Sequence, residues 1–257
     1  MDNLQIIPTT PESVKLYGLC GYKDVNKPGY SEKLDWYAKN KSKGLVIKVL
    51  HSNVAGTQGM IEYIDGEYCW RPVSAPHYLF IHCLFVGFKK EYKQRGFASR
   101  MLADCFQDAI ARSKAGIAVM VRKGSFMANA DIFLKNGFEP VENIAPDFQL
   151  LVKKVQIHAS NPVYINNDPI LNSRYQKGLT ILRADQCPYT VKNVQEMVRT
   201  AEEEFDTKVR IIHINSHQEA QENPSPFGTF ALILNGKILS HHPISKTRLV
   251  NILRTEL

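Results

Sequence analysis

The apolar run Tyr78 to Val86 and the amphipathic run Ser99 to Ala115 are joined by Lys89-Lys90-Glu91-Tyr92-Lys93-Gln94-Arg95-Gly96-Phe97-Ala98. This order predicts a strand, a basic glycine turn and a helix. Such a junction gathers main-chain N–H groups that have no intrahelical acceptor, at the end of a helix whose dipole favours anions. Lys93 and Arg95 add positive charge. A phosphate-bearing ligand would be held there. A solvated basic turn capping a surface helix would read the same way, and a short motif alone does not separate the two.

The elements around the junction narrow the fold class. Upstream, Leu4 to Ile7 is apolar, and Thr10-Pro11-Glu12-Ser13 is a helix-entry signal. A helix is predicted from Pro28 to Lys41 and a β-branched strand from Leu45 to Leu50. Gly59 to Ile64 alternates toward Asp65-Gly66, which predicts a tight hairpin. Downstream of the helix from Gly96 to Ala115 come strand Gly116 to Val121, helix Met127 to Asn136, and strands at Phe138 to Val141 and Phe148 to Lys153. The class is α/β, with a mixed central sheet flanked by helices.

Residues 155–177 are rich in Asn and Pro and weakly periodic, which is linker chemistry, with Val163-Tyr164-Ile165 as a candidate edge strand. The expected organisation is a first domain over 1–154, this linker, and a smaller domain over 178–257. The second unit begins with strand Gly178 to Arg183 and the segment Cys187-Pro188-Tyr189-Thr190. A helix to Phe205, strand Val209 to Ile214, a short polar helical stretch, a hairpin around Asn235-Gly236 and a last helix from Ser245 follow.

Charge and cysteine usage bound the partners. The net charge is +7, of which residues 1–154 carry +6, while residues 178–257 balance. The basic residues form no long stripe interleaved with aromatics, so nucleic acid is not the expected partner. No apolar stretch approaches the roughly 18 residues that a membrane span requires. The start, Met1-Asp2-Asn3-Leu4-Gln5, lacks the basic and apolar regions of a secretory signal. Five scattered cysteines without a Cys-x-x-Cys pair predict neither a disulfide framework nor a metal site, and a reducing cytoplasm is the expected setting.

Lys93-x-x-Gly96-x-Ala98, the order of elements and the segment Ile132-Phe133-Leu134-Lys135-Asn136-Gly137-Phe138 together resemble the GCN5-related N-acetyltransferase superfamily over roughly residues 1–154. Its signature is Gln/Arg-x-x-Gly-x-Gly/Ala, so Lys93 is a departure. The resemblance implies acetyl-coenzyme A as cosubstrate, with no metal. It implies that the pantetheine lies along the main chain of Leu84 and Val86 and the pyrophosphate on the loop Lys93, Gln94, Arg95, Gly96, Phe97 and Ala98. A small-molecule or peptide amine is the implied acceptor. The connection from Val86 to Gly96 is about two residues longer than the family's usual spacing.

Acetyl transfer from a thioester needs a neutral amine, a polarised carbonyl and a proton for the thiolate. By strict alternation His82 shares a face with Leu84 and Val86. Arylalkylamine acetyltransferases carry a histidine at the corresponding place, which implies a proton relay; a buried histidine bonded to a neighbouring strand is the alternative. Glu62, on the preceding strand, is the substitute base. Phe133 stands where the family places a tyrosine beside the coenzyme thiolate, so water, Tyr63 or Cys83 would have to supply that proton, or the domain binds coenzyme A without turnover.

The second unit resembles the thioredoxin-like fold, and Cys187-Pro188-Tyr189 matches the start of a glutaredoxin motif. A thiol ahead of a Pro-initiated helix is favoured as thiolate. Thr190 occupies the place of the resolving cysteine, so a redox role would be monothiol. The other reading is a thioredoxin-like fold used as a lid, an acceptor-binding wall or a dimer surface. Together with Asn223-Pro224-Ser225-Pro226-Phe227, the two halves resemble the YoaP-like bacterial acetyltransferases.

Overall fold

The apolar run Tyr78–Val86 forms strand β5 of a seven-stranded mixed sheet. Its partners are β1 (Leu4–Pro8), β2 (Val46–Ser52), β3 (Gly56–Asp65), β6 (Gly116–Arg122), β7 (Glu139–Ile144) and β8 (Phe148–Lys154). The order is β1-β2-β3-β5-β6-β8-β7, and only β5 and β6 pair in parallel. Helices α1 (Val14–Tyr17), α2 (Tyr30–Asn40), α3 (Phe97–Ala111) and α4 (Ala130–Leu134) accompany the sheet. The computed structural model describes residues 4–87, 89–167 and 174–257, so Asp168, Pro169 and Asn172 of the Asn/Pro-rich segment lie outside the described residues.

Two compact units are present. One comprises Met1–Val25, Leu34–Cys69 and Val73–Tyr164, and the other Asn26–Lys33, Trp70–Pro72 and Ile165–Leu257. In the first, Met101, Leu102, Cys105 and Ala109 of α3 bury one helix stripe against Ile61, Tyr63, Leu79, Ile81, Ile117 and Val119 of the sheet. The three- and four-residue spacing read from the sequence is this stripe.

Two features of β3 and β5 depart from the alternation expected of them. Glu62 pairs with Cys83 but Tyr63 pairs with Ile81, so His82 is an extra residue and β5 bulges there. The bulge resets the side-chain period. Leu79, Ile81 and Leu84 consequently all reach the α3 cluster, with Val86 packed against it. His82 turns instead toward Phe80 and Trp36, with ring centroids 5.9 and 6.1 Å away. The expectation that His82 shares a face with Leu84 and Val86 is therefore corrected.

The second departure is at Asp65-Gly66. No tight hairpin forms there: Gly66 opens a short 3-10 turn, and β4 (Val73–Ser74) precedes β5. A type I′ hairpin needs positive φ at both central residues, and Gly66 is not among the residues with positive φ. Its glycine serves close approach instead, since a Cβ would sit 2.1 Å from the Ala75 carbonyl oxygen. The candidate edge strand is realised as β9 (Val163–Tyr164), antiparallel to β4.

The second unit carries β10 (Leu179–Arg183), α5 (Tyr189–Phe205), β11 (Val209–His213), α6 (His217–Gln221), β12 (Phe230–Leu234), β13 (Lys237–Ser240) and α7 (Lys246–Glu256). Its strand order is β11-β10-β12-β13, with β10 and β11 parallel and the remaining pairs antiparallel. Asn235 (φ 48°) and Gly236 (φ 83°) make the predicted hairpin turn between β12 and β13. Buried Asn223 fixes the preceding loop by donating to the Gly228 carbonyl at 2.9 Å and accepting from the Ser225 N–H at 2.9 Å.

Gly228 is the tightest point of that loop. It has φ +74°, and a Cβ would meet the Trp70 carbonyl oxygen at 2.5 Å and the Arg71 Cα at 2.7 Å. Both atoms are main chain and cannot yield as a side chain would. Gly228→Ala is expected to destabilise this unit by about 3 kcal/mol, combining left-handed strain with overpacking. Chemical denaturation checks this, and an unchanged midpoint would contradict it.

Candidate active site

Beyond Ile81 and Val119, β5 and β6 part. Their parallel pairing runs from Tyr78–Gly116 to Ile81–Val119, and residues 82–86 pair only with β3 among the described residues. A cavity of about 610 Å³ opens at the parting. Leu84, Phe85 and Val86 line it from β5, and Lys93, Gln94, Arg95, Gly96, Phe97 and Ala98 from the junction loop. The loop residues and the two strand residues assigned from the resemblance are thus brought together around one space.

The loop's conformation follows from its glycine. Gln94 (φ 57°) and Gly96 (φ 76°) both occupy the left-handed region, and Gly96 is the N-cap of α3. The first capping bond runs from Arg100 N–H to the Gly96 carbonyl at 3.0 Å. The N–H groups of Phe97, Ala98 and Ser99 precede it and have no intrahelical acceptor. A Cβ at Gly96 would meet nothing within 4 Å, so the glycine is set by φ and not by crowding within the protein.

The cavity is electrostatically one-sided. Lys93, Arg95 and Lys135 line it, and among the described residues no carboxylate does. Arg100 belongs elsewhere, donating to the Leu4 carbonyl at 2.9 Å. The longer connection between β5 and α3 is taken up by a 3-10 turn, Lys90–Tyr92. Tyr92 from this turn is buried beside Phe97, with ring centroids 6.3 Å apart, and lines the cavity. Sequence reasoning missed Phe85, Tyr92, Ser99, Ala128, Ile132 and Lys135 as lining residues. The three-residue spacing of Ile132 and Lys135 was the available signal for a shared helix face.

Phe133 is placed otherwise than the resemblance implies. It is fully buried in the α3 cluster, edge-on to Phe138 at 5.3 Å, and it is Ile132 that lines the cavity. Tyr63, an alternative proton donor, is also committed: its hydroxyl donates to Asp108. Burial, with Cys105 and Asp108 adding to it, holds the Tyr63 phenol far above its ordinary value. Asp104 and Asp108 share Lys48 at 2.6 and 2.8 Å. Burial pulls the Lys48 ammonium down, but the bonds and charges of the two aspartates outweigh it and raise it.

Glu62 and His82 are adjacent. His82 Nδ1 lies 3.4 Å from Glu62 Oε1, and both side chains are wholly buried. Neither lines the cavity. Cys83, directly across from Glu62 in the ladder, is half-buried. In the second unit Cys187 is half-buried, immediately before Pro188, the N-cap of α5. Among the described residues no group of three or more His, Cys, Asp or Glu is arranged to hold a metal, and no helix is long and apolar enough to cross a membrane.

Comparison with known proteins adds a sequence relationship. A family model described as YoaP-like matches residues 209–251. An uncharacterized N-acetyltransferase, YoaP, of Bacillus subtilis (strain 168) is 29% identical over 230 residues, covering 88% of this chain and 88% of the relative. Among solved structures, a variant of spermidine N-acetyltransferase from Vibrio cholerae aligns at a TM-score of 0.42 and 13% identity, over 60% of this chain and 94% of that one. An N-acetyltransferase from Thermoplasma acidophilum in complex with coenzyme A aligns at 0.38 and 15%, over 49% of this chain and 70% of that one. The sequence relative and these structural neighbours are all N-acetyltransferases.

Proposed function

We propose that this chain transfers an acetyl group from acetyl-coenzyme A to an amine of a small molecule or peptide, in a reducing cytoplasm. The observation that carries the reading is the cavity at the parting of β5 and β6. Strand residues Leu84 and Val86, the left-handed Gly96 cap and the cations Lys93, Arg95 and Lys135 surround one space suited to a long, polyphosphorylated ligand. The relationship to an N-acetyltransferase over most of the chain supports the same class of reaction.

In the proposed reaction the amine nitrogen attacks the thioester carbonyl, the C–N bond forms and the C–S bond breaks. The proton leaving the amine is relayed through water to the Glu62–His82 pair, which sits at the bulge two residues from Leu84 and does not itself line the cavity. Water protonates the departing thiolate, because Phe133 has no acidic proton and lies outside the cavity lining. The second unit assists acceptor binding; its strand order, with parallel β10 and β11 flanked by antiparallel β12 and β13, supports the thioredoxin-like reading.

A second reading, a coenzyme A-binding protein without turnover, is favoured by Phe133 alone. The two part on one assay. The transferase reading expects thiol release from acetyl-coenzyme A that depends on at least one amine of a broad panel. Thermal stabilisation by the coenzyme with no acceptor-dependent release would overturn it in favour of a pure binder.

A further inference from the structure

The end of α4 is bonded to the first turn of α3 beside the cavity. Asn136 stands just past the last turn of α4, and its Nδ2 donates to the Ile132 carbonyl of that turn at 2.6 Å and to the Ser99 hydroxyl oxygen of α3 at 3.0 Å. Lys153 of β8 donates to the Asn136 carbonyl at 2.9 Å and lies over the Phe106 ring of α3, 4.4 Å from its centroid.

These bonds decide the role of the Ser99 hydroxyl. A carbonyl oxygen only accepts, so the Asn136 atom that touches Ile132 is the amide nitrogen, and that same nitrogen makes the Ser99 oxygen an acceptor. The hydroxyl hydrogen is left for another group, and among the described residues none accepts it. Ser99 lines the cavity.

Lys135 adjoins Asn136 and lines the same cavity. Asp131 precedes it by one helical turn, the spacing at which an acid and a base pair. Asp131 instead accepts from Asn129 at 2.9 Å, and among the described residues Lys135 makes no ion pair. The cations of the cavity are thus divided: Lys93 and Arg95 stand on the loop ahead of the Gly96 cap, and Lys135 on the α4 wall beside Ser99. Coenzyme A divides its phosphates likewise, with a pyrophosphate within the chain and a separate monoester on the ribose 3′ oxygen.

We propose that the Ser99 hydroxyl and the Lys135 ammonium, held side by side by Asn136, bind the ribose 3′-phosphate of coenzyme A and so discriminate it from its 3′-dephospho form. A phosphomonoester carries close to two negative charges at neutral pH and accepts strongly from both donor types. This site rests on the acetyl-coenzyme A reading and gives the third phosphate a place apart from the pyrophosphate.

Isothermal titration of the full chain with coenzyme A and with 3′-dephospho-coenzyme A tests it. Wild type should prefer coenzyme A by about 10-fold or more, the scale of a hydrogen bond to a charged group. Lys135→Met should remove most of that preference while leaving the affinity for the dephospho form unchanged, and Ser99→Ala and Asn136→Ala should narrow it in the same sense. Because Lys135 is exposed, the ligand-free melting temperature of Lys135→Met should match wild type. Two results would overturn the proposal and spare the acetyl-transfer reading: equal wild-type affinities for the two ligands, or a Lys135→Met variant that weakens both by the same factor, which would put Lys135 at the pyrophosphate. A chain that binds neither ligand would overturn both.

Discussion

Gly96→Val is expected to abolish measurable acetyl-coenzyme A binding while the protein stays folded. A β-branched residue is strongly disfavoured at φ 76°, so the loop must move off the geometry that presents the amides of residues 97–99. Because a Cβ there meets no protein atom within 4 Å, the new side chain projects into open space, which the proposal assigns to the phosphates. The combined loss should exceed about 100-fold in Kd, given that each 1.4 kcal/mol is tenfold. Lys93→Ala should cost less, since a solvated point charge contributes less than several fixed amides. Isothermal titration of both variants checks the order, and equal affinities for wild type and Gly96→Val would contradict the placement.

His82→Ala is expected to act on two quantities at once. Glu62 and His82 are wholly buried and 3.4 Å apart, so removing the imidazole opens a cavity beside a buried carboxyl and should lower stability by about 1–3 kcal/mol. If the pair also accepts the amine proton, turnover per folded molecule should fall by roughly 100-fold or more at neutral pH, and the acid limb of the pH–rate profile should flatten. Coenzyme affinity should barely change, because His82 does not line the cavity. A variant that loses only stability, with the pH profile intact, would assign the pair a structural role and remove it from the mechanism.

The parts of the site legible in the sequence were those written in local chemistry. An apolar run, a basic turn with one glycine and an amphipathic run gave β5, the loop and the start of α3 close to where they are observed, while the helix ends at Ala111 and not Ala115; each start depends on neighbours in the chain. The bulge at His82 has no such signature: it is a property of the β3–β5 register, and it inverted the face on which His82 was expected. Asp65-Gly66 misled for a related reason, its glycine answering to the distant Ala75 carbonyl and not to a local turn. Tyr92 joined the cavity lining only because the longer connection coils into a 3-10 turn that drives its ring inward. The grouping of Asn26–Lys33 and Trp70–Pro72 with the C-terminal unit is likewise a long-range packing outcome, invisible to periodicity.

A crystal structure of the chain with coenzyme A tests the central claim most directly. The account predicts the pyrophosphate against the N–H groups at the start of α3, within reach of Lys93, Arg95 or Lys135, and the pantetheine along Leu84 and Val86 at the parting of β5 and β6. Coenzyme bound at another place on the protein, or no coenzyme bound from millimolar solution, would contradict it.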